Sequence, residues 1–268
     1  MLAGVIGWPV EHSRSPAIHL AAAAATGVDL AYTRFAVAPG DGERAAAAMR
    51  PLGIRGLSVT MPHKEAVMGA CDELTESAKR LGAVNHLTNS DGTIVGNNTD
   101  GDGFVLGFEH TTGRSLAGQT VAVFGSGGAS RAIIDGCARA GVAKIHVIAR
   151  STDRAGIAAA VAPQVAVVSS FEVLAETDVA INATPVGMDQ TAGAGKLAFS
   201  VETLRDDAAV VDIVYSPLET PLIFAARERK LVAVDGLAML AGQASAQFAT
   251  WTGREPPLDV LIRAAHND

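Results

Sequence analysis

Short apolar runs alternate with alanine-rich stretches of helical period from one end of the chain to the other. That alternation is the pattern of an α/β protein with mostly parallel sheets. In the first hundred residues it predicts strands at Leu2 to Ile6, Tyr32 to Val37 and Gly56 to Val59, and helices near Pro16 to Thr26, Gly42 to Arg50 and Lys64 to Cys71. "TESAKRLGA" reads as a further short helix. "NHLTNSDGTIVGNNTD" reads as a hairpin, because Asp91-Gly92 is a favoured two-residue turn between alternating segments.

A second series runs from Gln119 to Ser151: a strand at Val121 to Phe124, a glycine turn, a helix at Arg131 to Ala140 and the strand "KIHVIA". This is the length of one βαβ unit. Strands follow at Val165 to Val168, Val179 to Asn182, Ala209 to Asp212 and Leu231 to Val234, enough for a complete nucleotide-binding domain. "LAMLAGQASAQFATWTG" then reads as an amphipathic helix ending at Gly253, with a last short helix after Pro256-Pro257.

The 268 residues suffice for two modest domains, and 49% hydrophobic against 18% charged residues marks a folded globular chain. A net charge of −7 argues against a nucleic-acid partner, while leaving room for a small anionic ligand held by local groups. With no apolar run of about 18 residues and no basic leader, a cytoplasmic protein without a membrane partner is expected. Cys71 and Cys137 are isolated and the seven histidines are scattered, so neither a disulfide framework nor a metal is expected.

The glycine turn, Gly125-Ser126-Gly127-Gly128-Ala129-Ser130, lies between a strand and a helix, where backbone N–H groups face a pyrophosphate and missing side chains let it approach. Ser130 stands at the third glycine position and is small enough for close packing. At the end of the next strand an acidic residue would select NAD; Arg150 and Arg154 instead offer a clamp for the 2′-phosphate of NADP, although Asp153 between them can pair with either. Ser15-Pro16 reads as a helix N-cap followed by proline. A substrate carboxylate at that helix end would meet the hydroxyls of Ser13 and Ser15 and the positive end of the dipole. Asp100 is read either as an N-cap or as a site group, with Asp102 the other candidate for the cap. Lys64, taken alone, is a solvated charge.

Eight blocks in order, "HSRSPAIH", "SVTMPHK", "GAVN", "GNNTDGDG", "GSGGASR", "INATPVGM", "VVDIVYSPLETPL" and "DGLAMLAGQASAQFATWTG", resemble the shikimate/quinate dehydrogenase family over essentially the full length. The resemblance implies a discontinuous N-terminal α/β substrate domain, residues 1–100 with 237–268, and a Rossmann-like, doubly wound NADP-binding domain, residues 101–236. It implies reversible, NADPH-dependent reduction of 3-dehydroshikimate to shikimate, with a homodimer as one arrangement it allows. Lys64 and Asp100 would be the catalytic pair, and Ser13, Ser15, Thr60, Asn85, Tyr215 and Gln243 would line the substrate. Gly125, Ser126, Gly127, Gly128, Ala129, Ser130, Arg150, Arg154, Ile213 and Gly236 would surround the NADP(H).

Residue chemistry agrees with these roles. Oxidising a secondary alcohol by hydride transfer leaves a hydroxyl proton that an ammonium and a carboxylate can share. Asn85 and Gln243 offer donors and acceptors for neighbouring hydroxyls. Three positions depart from the usual family wording: Ser58 for asparagine, His86 for threonine and Ala149 for asparagine. They keep quinate and aminoshikimate dehydrogenases as alternatives. Ser13-x-Ser15 and the two arginines favour shikimate and NADP. A catalytically silent NADP-binding paralogue is the alternative from another class, against which the intact Lys64 and Asp100 speak.

Overall fold

A computed structural model describes residues 1–189 and 191–267. The chain forms two compact units, Met1–Thr99 with Ala241–Asp268, and Asp100–Leu240. Among the described residues no helix is long and apolar enough to cross a membrane, and no cluster of three or more His, Cys, Asp or Glu residues is arranged to hold a metal ion.

The first unit is built on a six-stranded sheet of β1 (Leu2–Gly7), β2 (Ala31–Ala36), β3 (Gly56–Val59), β4 (Glu73–Leu74), β5 (His86–Ser90) and β6 (Thr93–Asn97), in the order β2-β1-β3-β5-β6-β4. β1 runs parallel to β2 and β3, while β5 is antiparallel to both neighbours and so makes this sheet mixed. The expected hairpin is β5–β6: Asp91 and Gly92 both take positive φ, 52° and 92°, as a tight two-residue turn requires. β4 carries too few residues to show a period and was not foreseen.

Three expected helices of this unit differ in detail. The one foreseen over Gly42 to Arg50 splits into Gly42–Ala47 and Met49–Leu52, because Pro51 has no N–H for the Ala47 carbonyl. Lys64 to Cys71 holds only a 3-10 turn, Ala66–Ala70. There the Lys64 carbonyl accepts from the Val84 N–H at 2.7 Å, and Met68 N–H turns back to Glu65 instead. Ser15 is the first helical residue of Ser15–Thr26 rather than its cap; Arg14 holds the cap position and no side chain closes it.

Ile6, Leu57, Val59, Leu87 and Ile94 form one core layer with Met49 and Val67, while Ala3, Val5 and Val10 pack with Tyr32 and Trp251. His19 is buried beside that second layer, stacked on Tyr32 at 4.4 Å between ring centroids and tilted on Trp251 at 5.1 Å. Among the described residues neither of its ring nitrogens has a hydrogen-bond partner. His86, equally buried, has its ring edge-on to Trp251 and bonds Thr88 Oγ1 at 3.2 Å through Nε2, leaving Nδ1 unmatched. Burial pushes His19 down to about 3; the nearby His86 adds to this and the Gln247 side chain partly offsets it. Burial alone pushes His86 down to about 3.

The second unit holds β7 (Thr120–Phe124), β8 (Lys144–Ile148), β9 (Ala166–Val168), β10 (Val179–Asn182), β11 (Ala209–Asp212) and β12 (Val232–Val234), all parallel, in the order β12-β11-β10-β7-β8-β9. The chain winds outward from β7 and then returns to β10 on its other side, which is the doubly wound arrangement. Strand alternation feeds two cores. Val121 and Val123 face Phe104, Phe108, Ile133 and Ile134, while Ala122 and Phe124 face Leu174, Phe199 and Leu222.

The helix after the glycine turn starts at Gly128, three residues before the expected Arg131. First-turn N–H groups have no intrahelical acceptor, so glycine there costs less than in a helix interior. This helix crosses Asp100–Thr112 very closely: a Cβ on Gly136 would lie 2.5 Å from the Gly101 carbonyl oxygen, and one on Gly101 would strike the Ala132 carbonyl.

Gly136→Ala is therefore expected to destabilise by about 1–3 kcal/mol through overpacking, even though alanine is the better helix former by about 1 kcal/mol. Gly156→Ala, in a helix with nothing within 4 Å of the added Cβ, is expected to stabilise by up to about 1 kcal/mol. Urea midpoints of the two variants check the pair.

The histidines predict an acid sensitivity of the first unit, which carries both tryptophans, Trp8 and Trp251. Unfolded, each ring takes up a proton as pH falls through 6.5, whereas folded it does so only near 3. Stability fully present above pH 6.5 is thus lost progressively from there towards pH 3, by at most about 1.4 kcal/mol per pH unit for each ring. Urea titrations followed by tryptophan fluorescence at pH 7 and 5 should show the loss, and His19→Leu should flatten it.

Candidate active site

In the first unit, the end of β3 and the turn after it are locked by backbone bonds. Thr60 N–H donates to Ile6 at 3.0 Å, His63 N–H to Thr60 at 3.1 Å, and the buried His63 ring reaches the Val37 carbonyl at 2.8 Å through Nε2. Thr60 and Lys64 are both half-buried on this held segment, Thr60 just past β3 and Lys64 just ahead of the 3-10 turn. Ser13 and Ser15 meet, with Oγ–Oγ at 3.2 Å, and Ser13 Oγ also accepts the Ser15 N–H at 3.3 Å. The carbonyl of Ser13 is gripped by the Arg34 guanidinium at 3.0 and 2.6 Å. The two hydroxyls are thus presented together at the start of a 12-residue helix with no acidic residue in its first turn, a setting that favours an anion.

Asn85 and Gln243 also meet. Asn85 Nδ2 donates to Gln243 Oε1 at 3.1 Å, while Asn85 Oδ1 accepts from the Thr99 N–H at 2.8 Å. Behind them runs a set of contacts that sequence reading did not find: Gln247 with Thr99 at 3.2 Å, Ser58 with Gln247 at 2.5 Å, and Tyr32 with Ser58 at 2.7 Å. All four of these residues are at least nine-tenths buried. Burial raises the Tyr32 phenol pKa, opposed in part by Ser58 and Ser15, so the hydroxyl stays protonated. The one signal available in the sequence was that Gln247 follows Gln243 by four residues on one helix.

In the second unit the expected cofactor residues gather at the carboxyl ends of the parallel strands. Gly125 follows β7, Arg150 lies two residues past β8, Ile213 follows β11 and Gly236 lies two residues past β12. The reversal of strand order falls between β7 and β10, where a doubly wound sheet offers its crevice. Gly125 has φ 121°, and a Cβ there would lie 2.7 Å from the Ala183 carbonyl oxygen, so only glycine fits. Gly127 and Gly128 are exposed with nothing within 4 Å of an added Cβ. Gly128, Ala129 and Ser130 form the first turn of their helix, and that turn has no acidic residue. The fit to a pyrophosphate is good: open N–H groups, a dipole end, and room for approach. Ser130 is fully buried and bonds the Ala183 carbonyl at 3.3 Å, while Ser126 is half-buried beside the exposed glycines.

Arg150 and Arg154 are exposed, and Ser151 between them caps the next helix by accepting the Arg154 N–H. Among the described residues neither arginine pairs with Asp153. Ile213 and Gly236 touch: a Cβ on Gly236 would strike the Ile213 carbonyl. Asp100 is buried as the first residue of its helix, and Tyr215 is half-buried in the loop after β11; both belong to this second unit, whereas the serines, Thr60, Lys64, Asn85 and Gln243 belong to the first. Asp102, the other candidate cap, instead pairs with Arg139 at 2.5 Å.

The loops after β10 and β11 are held by a cluster that sequence reading also missed. Buried Asp212 accepts from Asn182 Nδ2 at 2.9 Å, Thr220 Oγ1 at 2.7 Å and the Val214 N–H at 3.1 Å. Burial pushes its carboxyl up to about 6, and these three donors hold the rise in check.

The chain is similar to known proteins over nearly its whole length. Residues 5–87 match the family described as the shikimate dehydrogenase substrate binding domain, and residues 236–266 the shikimate 5'-dehydrogenase C-terminal domain. A shikimate dehydrogenase (NADP(+)) of Symbiobacterium thermophilum is 42% identical over 98% of this chain and 92% of its own length. The crystal structure of a Thermus thermophilus shikimate 5-dehydrogenase in complex with NADP(H) and shikimate superposes with a TM-score of 0.90 at 32% identity, covering 100% of this chain and 99% of that one. A quinate dehydrogenase from Corynebacterium glutamicum in complex with NAD gives 0.89 at 33% identity, covering 100% and 99%. With near-complete coverage at this identity, the chain belongs to the shikimate dehydrogenase family.

Proposed function

We propose that the protein catalyses the reversible reduction of 3-dehydroshikimate to shikimate with NADP(H), Lys64 and Asp100 sharing the transferred proton. Family membership makes it an oxidoreductase acting on a secondary alcohol with NADP. The observation that carries the finer reading is that each unit carries its own prepared surface. The first carries an anion-favouring serine pair and an oriented amide pair; the second carries a glycine turn at the switch point of a parallel sheet.

In this reading residues 1–100 with 237–268 are the substrate domain and 101–236 the NADP domain. Ser13 and Ser15 receive the substrate carboxylate at the helix N-terminus, while Thr60, Asn85, Tyr215 and Gln243 hold its hydroxyls. The N–H groups of Gly128 to Ser130 receive the pyrophosphate, and Arg150 and Arg154 the 2′-phosphate, where a guanidinium's planar donor fork matches the oxygens. When bound, NADP(H) supplies or accepts the hydride at the carbinol carbon. The hydroxyl proton that is left passes to the Lys64 and Asp100 pair, and in the reductive direction the same pair returns it to the carbonyl oxygen. Nothing in that chemistry calls for a metal.

The likeness to a quinate dehydrogenase bound to NAD keeps one second reading in view. Two exposed arginines after β8, with no carboxylate paired to them among the described residues, weigh against it, since a free ribose 2′-hydroxyl would be met by an acidic residue there.

Lys64→Ala is expected to lower kcat by about two to four orders of magnitude, the range for loss of a proton-transfer group, while NADP affinity and Tm stay near wild type. Steady-state rates with shikimate and NADP, fluorescence titration of NADPH, and a melting curve check this. Turnover near wild type would remove Lys64 from the mechanism.

A further inference from the structure

The buried polar groups behind Asn85 have a direction. The Thr99 backbone N–H can only donate, so the Asn85 atom it meets at 2.8 Å is Oδ1. Nδ2 must then face Gln243, and the Gln243 atom 3.1 Å away must be the acceptor Oε1. This leaves Gln243 Nε2, for which no partner is found among the described residues, as the outward end of a half-buried side chain. On the inner side, Gln247 Nε2 lies 3.2 Å from Thr99 Oγ1 and 3.5 Å from the Asn85 carbonyl, which can only accept. Gln247 Oε1 therefore faces Ser58, whose single proton it takes at 2.5 Å. The 2.7 Å contact between Tyr32 and Ser58 must then be donated by the phenol.

Donation runs from Tyr32 to Ser58, from Ser58 to Gln247 and from Gln247 to Thr99 Oγ1; Thr99 Oγ1 meets the Asn85 side chain at both Oδ1, at 3.2 Å, and Nδ2, at 3.1 Å, and Asn85 Nδ2 donates to Gln243. A flip of any amide would set donor against donor or acceptor against acceptor. The Thr99 N–H sets which way Asn85 turns, and Gln247, held by Ser58, braces Thr99 Oγ1 and the Asn85 carbonyl from the core, so it reaches Gln243 through Thr99 and Asn85.

We propose that Gln247, supported by Ser58, is a positioning residue that holds Gln243 with its N–H groups outward, so that this amide recognises an acceptor oxygen of the substrate and disfavours an ammonium. The proposal rests on the reading of Gln243 as a substrate-lining group. Gln247→Leu removes the inner donor, and Ser58→Ala releases Gln247 with less disturbance to packing.

The test combines kinetics with side-chain NMR of the whole protein. Gln247→Leu and Ser58→Ala should each raise KM for shikimate by about fivefold to tenfold, the worth of one neutral hydrogen bond, with KM for NADP within about twofold of wild type. Because they act through Gln243, adding either to Gln243→Ala should cost little more than Gln243→Ala alone. Additive losses, or an unchanged KM for shikimate, would overturn the proposal. The 15N-correlated side-chain amide signals of Asn85 and Gln243 in the ligand-free protein give a reading independent of substrate. They should move and exchange faster with water in both variants, and signals unchanged from wild type would overturn the proposal. If the wild-type protein does not turn over shikimate, the functional reading fails, and these signals still decide whether Gln247 orients Gln243.

Discussion

The hydrogen bond from the Thr99 N–H to Asn85 Oδ1, 2.8 Å long and buried, is the contact on which the polar interior of the first unit depends. It holds the residue where the first unit's hairpin segment ends and the chain passes to Asp100. It also removes the ambiguity of an amide side chain, since a backbone donor admits only one orientation. The outward face of Gln243 follows that choice, while the Asn85 carbonyl, which can only accept, sets the inward run through Gln247 and Ser58 to the phenol of Tyr32. A buried polar network fully satisfied in one sense is rigid, and it specifies one arrangement rather than several.

The second unit solves a different problem, the close approach of turn to strand end and of helix to helix. Gly125 turns the chain where a side chain would collide with Ala183, and Gly101 and Gly136 let two helices touch backbone to backbone. The parallel sheet then brings the ends of β7, β8, β11 and β12 to one edge, so residues over a hundred positions apart, such as Gly125 and Gly236, follow strands that end on the same side of the sheet. Asp212 supports the loops of that edge from below, kept by three donors although no cation offsets its burial.

Much of this was legible in the sequence because the period of the pattern carries it. The parallel strands of the second unit fall where apolar runs fall, within a residue, and the hairpin follows from Asp91-Gly92. Local chemistry that depends on a distant partner was not legible. The 3-10 turn after Lys64 forms because Val84 occupies a carbonyl that a helix would use, and Pro51 cuts a helix whose alanines alone would continue it. Ser58 and His86 stood out only as departures from the family wording and Gln247 only by its spacing from Gln243; what they do comes from burial against Tyr32, Trp251 and Asn85, contacts made across up to 189 positions of chain. Ser13 and Ser15 were legible as a pair, but not the shift of the helix start that makes Ser13 rather than Ser15 the acceptor of a backbone N–H.

The paired arginines after β8 and the serine pair ahead of the first helix together make one claim about substrate and cofactor. The most direct measurement is kcat/KM of the wild-type protein in the oxidative direction, with shikimate and with quinate, each with NADP and with NAD. The account predicts the highest value for shikimate with NADP, by about tenfold or more over each other combination, the discrimination expected of a built contact to one phosphate and one set of hydroxyls. A higher value for quinate with NAD would contradict it.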